Sequence, residues 1–219
     1  MTSTANLTFV VVDDHASVLG GTVATLQQEY SKAEILTATY GQRAQELIRS
    51  VQPQLVLTDL SIPETPDADS LPETGLNLLR SLMQDYPELN LVVQSAHTKS
   101  LVRLKPSIDS HNGGFAVVDK MMSLEDMLKR VDWALQGLLC TPRDIRTGID
   151  IKPEWLKVLQ LAFQEGLQDK VIAAEMCVSE RAVRHYWSKV QDILEVYPEA
   201  GQNMRIRTEI RAREEGLID

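Results

Sequence analysis

The chain has 219 residues, of which 43% are hydrophobic and 24% charged, and its formal charge at pH 7 is −9. That length and apolar content suit one large domain or two smaller ones, each burying its own core, and argue against a disordered chain. No run reaches the roughly 18 apolar residues of a membrane helix, and the opening MTSTANLTFVVVDDH lacks the basic start and small-residue cleavage site of a secretory signal, so the expected location is the cytoplasm, away from membranes.

The first part alternates short β-branched runs with amphipathic helical stretches, which predicts a doubly wound α/β domain: a parallel sheet with helices on both faces. Five strands are expected at Phe9–Val12, Ile35–Thr39, Leu55–Thr58, Leu91–Gln94 and Phe115–Val118, each nearly continuously apolar, as strands buried on both sides must be. Helical faces lie between them: Val18, Thr22, Val23 and Leu26; then Ala44, Leu47, Ile48 and Val51; then Leu76, Leu79, Leu82 and Met83. The last helix of this part starts at a capping box, Ser123 with Asp126, and buries Leu124, Met127, Leu128, Val131 and Leu135 before Gly137 ends it.

Periodicity lapses from residue 138 to about 152, around Thr141-Pro142 and Gly148, and this stretch reads as an interdomain linker. The expected organisation is therefore a first domain over 1–137, a linker over 138–152 and an all-α domain over 153–219. Cys140 and Cys177 are the only cysteines, without metal-ligand or CxxC spacing, and read as reduced thiols. In the second domain Leu156, Leu159 and Phe163 repeat at helical spacing from Pro153 to Gly166. A short helix Asp169–Met176 comes next, then a tight turn at Cys177-Val178 and a longer helix capped by Ser179 and reaching about Leu194. A final helix begins near Met204 after the breaks at Pro198 and Gly201. Charge is uneven. Residues 1–139 hold 10 Lys and Arg against 17 Asp and Glu, whereas residues 140–219 hold 12 against 14, so nucleic-acid binding would rest on a local basic face of the second part.

Four chemical groups fall at the carboxyl ends of predicted strands, where ligands bind in open α/β sheets. Asp13-Asp14 follows the first strand, Asp59 the third, Ser95 the fourth and Asp119-Lys120 the fifth. Each alone is more often a solvated turn or a cap; in this order, each at a strand end, they resemble the receiver domains of two-component response regulators over roughly the first 137 residues. The resemblance implies a five-stranded receiver, or flavodoxin-like, sheet of order 2-1-3-4-5. It also implies that Asp59 is the phosphoacceptor and that Asp13, Asp14, Asp59 and the backbone carbonyl of Ser61 hold Mg²⁺. Lys120 would pair with the phosphoryl group, Ser95 would move to hydrogen-bond it, and a sensor histidine kinase would be the donor. His15 fits the DDH string common in that family and reads as a wall or outer-metal residue.

The chain departs from the family pattern in three places. The short loop after the phosphoacceptor is stretched from Pro63 to Gly75 and carries Glu64, Asp67, Asp69 and Glu73. Val117 stands where an aromatic usually precedes the lysine by three residues. Pro106 interrupts the fourth helix expected between Leu101 and Gly113.

The segment LQDKVIAAEMCVSERAVRHYWSKV resembles the LuxR-type helix-turn-helix, which with the receiver points to the NarL/FixJ family. The resemblance implies a transcription factor that binds double-stranded DNA under control of Asp59 phosphorylation. The face Arg181, Arg184, His185 and Ser188 would enter the major groove, with Arg184 reading a base, while Lys170, Lys189 and Arg181 would hold phosphates. Val183, Trp187, Val190 and Leu194 form the opposite, buried stripe. Ile206 and Ile210 on the last helix would make a homodimer contact in the active state, and the arginines at 205, 207, 211 and 213 read either as a solvated face or as phosphate contacts. An alternative is a receiver used as a phosphorylation-independent docking module controlling the same DNA-binding domain. An enzyme is the third reading, and it finds no support: no GxGxxG or P-loop follows the first strand and no nucleophile elbow is present.

Overall fold

The structure is a computed structural model that describes residues 7–142, 145 and 151–219. Packing divides it into two units. One holds the described residues up to Thr98 and Pro106–Pro142; the other holds Lys99–Lys105 and the described residues beyond Pro142.

The first unit is built on a parallel sheet. Its strands are β1 (Thr8–Val12), β2 (Glu34–Ala38), β3 (Leu55–Thr58), β4 (Asn90–Ser95), β5 (Phe115–Asp119) and β6 (Leu139–Cys140), in the order β2-β1-β3-β4-β5-β6. Helices α1 (Ala16–Glu29), α2 (Gly41–Val51), α3 (Pro72–Asp85), α4 (Lys105–Ser110) and α5 (Leu124–Leu135) are interleaved with the strands. The central strands are apolar because both faces are covered: Phe9, Val10, Val11 and Val12 are all 0% exposed, as are Leu91, Val92 and Val93. The expected order 2-1-3-4-5 holds for the first five strands, and the five-strand count is corrected to six among the described residues. Leu139 and Cys140, assigned to the linker by the lapse in helical periodicity, pair in parallel with Phe115 and Ala116. Two residues are too few to show a period of two, so pattern reading passes over such an edge strand. The rest of the 138–152 linker lies largely outside the described residues.

Other expectations change as well. Leu124, placed in the buried stripe of the fifth helix, is 52% exposed, because it is the first residue of α5 and the stripe closes only from Met127 onward. The extended loop does not run to Gly75 as expected, because α3 already begins at Pro72, whose fixed φ suits a first helical turn. Pro106 does not interrupt a helix but stands in the first turn of one: Thr98–Leu104 is a 3₁₀ turn, and α4, which starts at Lys105, is only six residues long.

Glycines at positions 75 and 114 are among those that let backbones approach closely. A Cβ on Gly75 would stand 2.3 Å from the Leu60 carbonyl oxygen, so Gly75 brings the start of α3 against the residues that follow Asp59. A Cβ on Gly114 would stand 1.9 Å from the Ala134 carbonyl oxygen, so α5 packs directly on the entry to β5.

The second unit is helical: α6 (Pro153–Phe163), α7 (Asp169–Glu175), α8 (Glu180–Ile193) and α9 (Met204–Glu214). Its core holds Val158, Leu159, Leu161, Ile172, Val183, Trp187, Val190, Leu194 and Ala212. Val102, from the 3₁₀ turn, belongs to the same core. The neighbouring Arg103 guanidinium is 1% exposed, donating from Nε to the Gly216 carbonyl at 2.7 Å and from Nη2 to Asp219 at 2.8 Å. Burying a guanidinium is tolerated only with such partners.

The close approach at Gly114 predicts a measurable loss. Gly114→Ala should lower the unfolding free energy of the sheet unit by about 3 kcal/mol, the upper end for overpacking, because the atom it meets is backbone. A denaturant midpoint equal to wild type would contradict the packing of α5 on β5.

Candidate functional site

The parallel register brings the predicted acidic residues together. Val12 and Thr58 are paired across β1 and β3, so Asp13 and Asp59 emerge side by side at the carboxyl ends of these strands. Ser95 pairs with Asp119 across β4 and β5, which sets Lys120 next in line. The Lys120 ammonium donates to Asp13 Oδ2 at 2.8 Å and to Asp59 Oδ2 at 2.7 Å. Both aspartates are 3% exposed. Burial works against the Lys120 charge, but its hydrogen bonds to Asp13 and Asp59 and the attraction of both carboxylates outweigh that, so its pKa stands above the ordinary lysine value.

Backbone groups hold the acids in place. The Leu60 N–H donates to Asp59 Oδ1 at 2.6 Å and the His15 N–H to Asp13 Oδ1 at 2.8 Å. Asp14 is less enclosed, with its side chain 17% exposed; Oδ1 lies 2.6 Å from His15 Nδ1, and Oδ2 accepts from the Ser70 hydroxyl. Potential ligand atoms of Asp13, Asp14, His15 and Asp59 all lie within 4.8 Å of one another. Three of the four side chains offer carboxylate oxygens, a donor set suited to a hard divalent cation. Ser61, two residues after Asp59, has a buried hydroxyl with no hydrogen-bond partner among the described residues. Ser95 is fully buried, and its Oγ accepts from the His97 N–H at 3.2 Å. Val117 is buried within β5 at 1% exposure. A separate cleft of about 480 Å³, lined by Ile48, Pro53, Tyr86 and Leu89 among others, lies at the opposite ends of β3 and β4 and contains none of these groups.

A profile described as the response regulator receiver domain matches residues 9–132. The chain belongs to this family. It is 24% identical over 202 residues to the transcriptional activator protein ExaE of Pseudomonas putida, covering 85% of this chain and 89% of that one. The transcriptional regulatory protein YdfI of Bacillus subtilis (strain 168) is 22% identical, with 95% of this chain and 96% of that one covered. Among solved structures, RcsB from Salmonella enterica serovar Typhimurium bound to promoter P1flhDC with phosphomimetic BeF3- is 20% identical, with a TM-score of 0.59 over 94% of this chain and 98% of that one. This last likeness is one of fold.

The helical unit of the receiver chain carries the second candidate surface. Ser179 caps α8 by accepting from the Ala182 N–H at 3.2 Å, and Cys177 makes the turn from α7 with φ of 53°. Val183, Trp187 and Val190 face inward, while Arg181, Arg184, His185 and Ser188 are exposed, Lys189 is half-buried and Lys170 at the start of α7 is exposed. The ion pairs on this face, Arg184 to Glu180 at 3.8 Å and Lys189 to Asp192 at 3.9 Å, are long and solvated, so both cations can turn to another partner at small cost. Ile206 and Ile210 are 56% and 51% exposed, leaving an apolar strip on α9.

Sequence reasoning missed how Arg205 is used. Its guanidinium stacks 3.5 Å from the Trp187 ring centroid and donates to both oxygens of Asp169 at 2.7 and 2.9 Å. Asp169 also accepts from the Trp187 indole N–H at 3.1 Å. The other arginines of α9 are engaged too: Arg207 with Glu199 and the Tyr197 carbonyl, Arg211 with Glu214, and Arg213 with Glu209. The signal available in sequence was only a solitary acid at a helix start and a tryptophan on a buried stripe.

Removing the shared acceptor should therefore hurt two donors at once. Asp169→Ala should lower the stability of the helical unit by about 1–2 kcal/mol, a figure held down by the partial exposure of the pair. Thermal melting followed by circular dichroism checks this, and an unchanged melting temperature would remove Asp169 from the account of how α7, α8 and α9 are joined.

Proposed function

We propose that this chain is a two-component response regulator of the NarL/FixJ type, a transcription factor whose binding to double-stranded DNA is controlled by phosphorylation of Asp59. The observation that carries this reading is the meeting of Asp13, Asp14, Asp59 and Lys120 at the strand ends of a receiver whose chain continues into a helix-turn-helix. The receiver extends through β6, whose Leu139 and Cys140 pair with Phe115 and Ala116, and the LuxR-type domain occupies 153–219. The only chemistry is self-phosphorylation and its hydrolysis, so the protein is a regulator and not an enzyme acting on other substrates.

Asp59 Oδ is the nucleophile. Its bond to phosphorus forms as the bond from phosphorus to the imidazole nitrogen of a sensor histidine kinase breaks, and the departing imidazole takes up a proton. Mg²⁺, held by Asp13, Asp14, Asp59 and the Ser61 carbonyl, would neutralise the crowded oxygens when bound. Lys120, already poised on Asp59, pairs with the phosphoryl oxygens, and Ser95 leaves the His97 N–H to donate to one of them. In the output domain Arg184 reads a base edge, Arg181, His185 and Ser188 complete the groove-facing surface, and Lys170 and Lys189 hold phosphates. Ile206 and Ile210 supply the contact of a homodimer spanning two half-sites.

A second reading is a receiver that docks a protein partner and controls output without phosphorylation. Val117 favours it, since this buried aliphatic replaces the aromatic that usually rotates with the switch.

Two measurements decide. Wild type incubated with a phosphodonor and Mg²⁺ should gain one phosphoryl group by intact mass and bind its operator more tightly, and Asp59→Asn should do neither. Absence of the mass gain in wild type would favour the docking reading. On DNA, Arg184→Ala should relax preference at one base by about 1–3 kcal/mol, whereas Lys170→Ala should weaken all sequences alike and reduce the slope of log affinity against log salt by about 1. Equal effects on every sequence from Arg184→Ala would remove its base-reading role.

A further inference from the structure

The extended segment after Asp59 is an ordered part of the acidic pocket. Ile62 and Leu71 form an antiparallel bridge at its neck, with the Leu71 N–H donating to the Ile62 carbonyl at 3.3 Å. Within the loop the Ala68 N–H donates to the Thr65 carbonyl at 3.1 Å. Its start is tied to α2: the Gly41 and Gln42 N–H groups, which a helix start leaves without intrahelical partners, donate to the Pro63 and Glu64 carbonyls at 2.9 and 3.1 Å. Its end runs directly into Pro72 of α3.

Ser70 stands immediately before that closed neck, and its hydroxyl donates to Asp14 Oδ2. Asp14 is the one aspartate of the three that Lys120 does not hold, and the most exposed of them. Without Ser70, its carboxylate would be oriented only through His15, itself a largely exposed side chain. A hydroxyl donor uses one lone pair of Oδ2 and leaves another for a cation, so this bond orients the carboxylate without consuming it.

We propose that Ser70 is a positioning residue for divalent-cation binding: the inserted loop 63–71 holds the Asp14 carboxylate in the pocket, so that cation binding and the order of the loop are coupled. This rests on the reading of Asp13, Asp14 and Asp59 as the cation site. It assigns the insertion a task inside the pocket. Ser70 lowers the conformational cost of gathering the third acid, and by reciprocity a bound cation steadies the loop.

Calorimetric titration of the full chain with Mg²⁺ alone tests this. Ser70→Ala should bind Mg²⁺ about tenfold more weakly, the low end for a hydrogen-bonding partner of a metal ligand because the bond is exposed. Ser70→Thr, which keeps the hydroxyl, should restore affinity. Mg²⁺ should also slow amide hydrogen exchange of residues 64–71 in wild type and in Ser70→Thr, and much less in Ser70→Ala. Since Ser70 is exposed, its replacement by alanine opens no core and a loss of affinity is not one of folding. If wild type binds Mg²⁺ and Ser70→Ala binds it equally or more tightly, the role of Ser70 is overturned while the acidic pocket stands. If wild type takes up no Mg²⁺, both fall.

Discussion

The Lys120 ammonium sits between Asp13 and Asp59, and much of the first unit can be understood as the framework that allows this contact. Two carboxylates that are nearly inaccessible to water would each cost several kcal/mol unless a cation met them. Meeting them requires β1 and β3 to be neighbours in register, with β4 alone between β3 and β5, so that the residue after β5 reaches back over the ends of the other two. One lysine does not balance three aspartates. The remaining negative charge is a donor set suited to a hard divalent cation, the part that the proposed function gives to Mg²⁺.

The helical unit answers a similar demand differently. Asp169 opens α7, where a negative charge suits the helix dipole, and it gathers an indole N–H from α8 and a guanidinium from α9. Arg205 covers the Trp187 ring, and Phe163 of α6 meets the same ring edge-on at 5.5 Å. Four helices are thereby referred to one aromatic side chain. The exposed cations of α8 sit away from the Trp187 side of that helix, so the face offered to DNA in the proposed function is oriented by groups that need not touch it.

Much of this was legible in the chain itself. The strands carrying Asp13, Asp59 and Lys120 are nearly continuous apolar runs, and α8 repeats Val183, Trp187, Val190 at helical spacing, so element type and facing followed from period alone. The gathering of Asp13, Asp14, Asp59 and Lys120 was expected from their places at strand ends. The two-residue β6 was hidden because it is too short to show alternation. Ser70 was hidden because serine in an acidic, proline-bearing loop has no pattern that names its partner, 56 residues away in the chain.

By itself the sequence determined the longer strands and helices, most of their buried faces and which acids stand at strand ends, because those properties are carried by spacing along a regular backbone. Tertiary structure alone decided that Arg205 belongs to Asp169 and Trp187, that Ser70 reaches Asp14, and that Val102 and Arg103 pack with the helical unit. The physical reason is common to all three. Each is a single side chain whose partner is distant in sequence and is chosen by loop path and packing, and neither leaves a period to read.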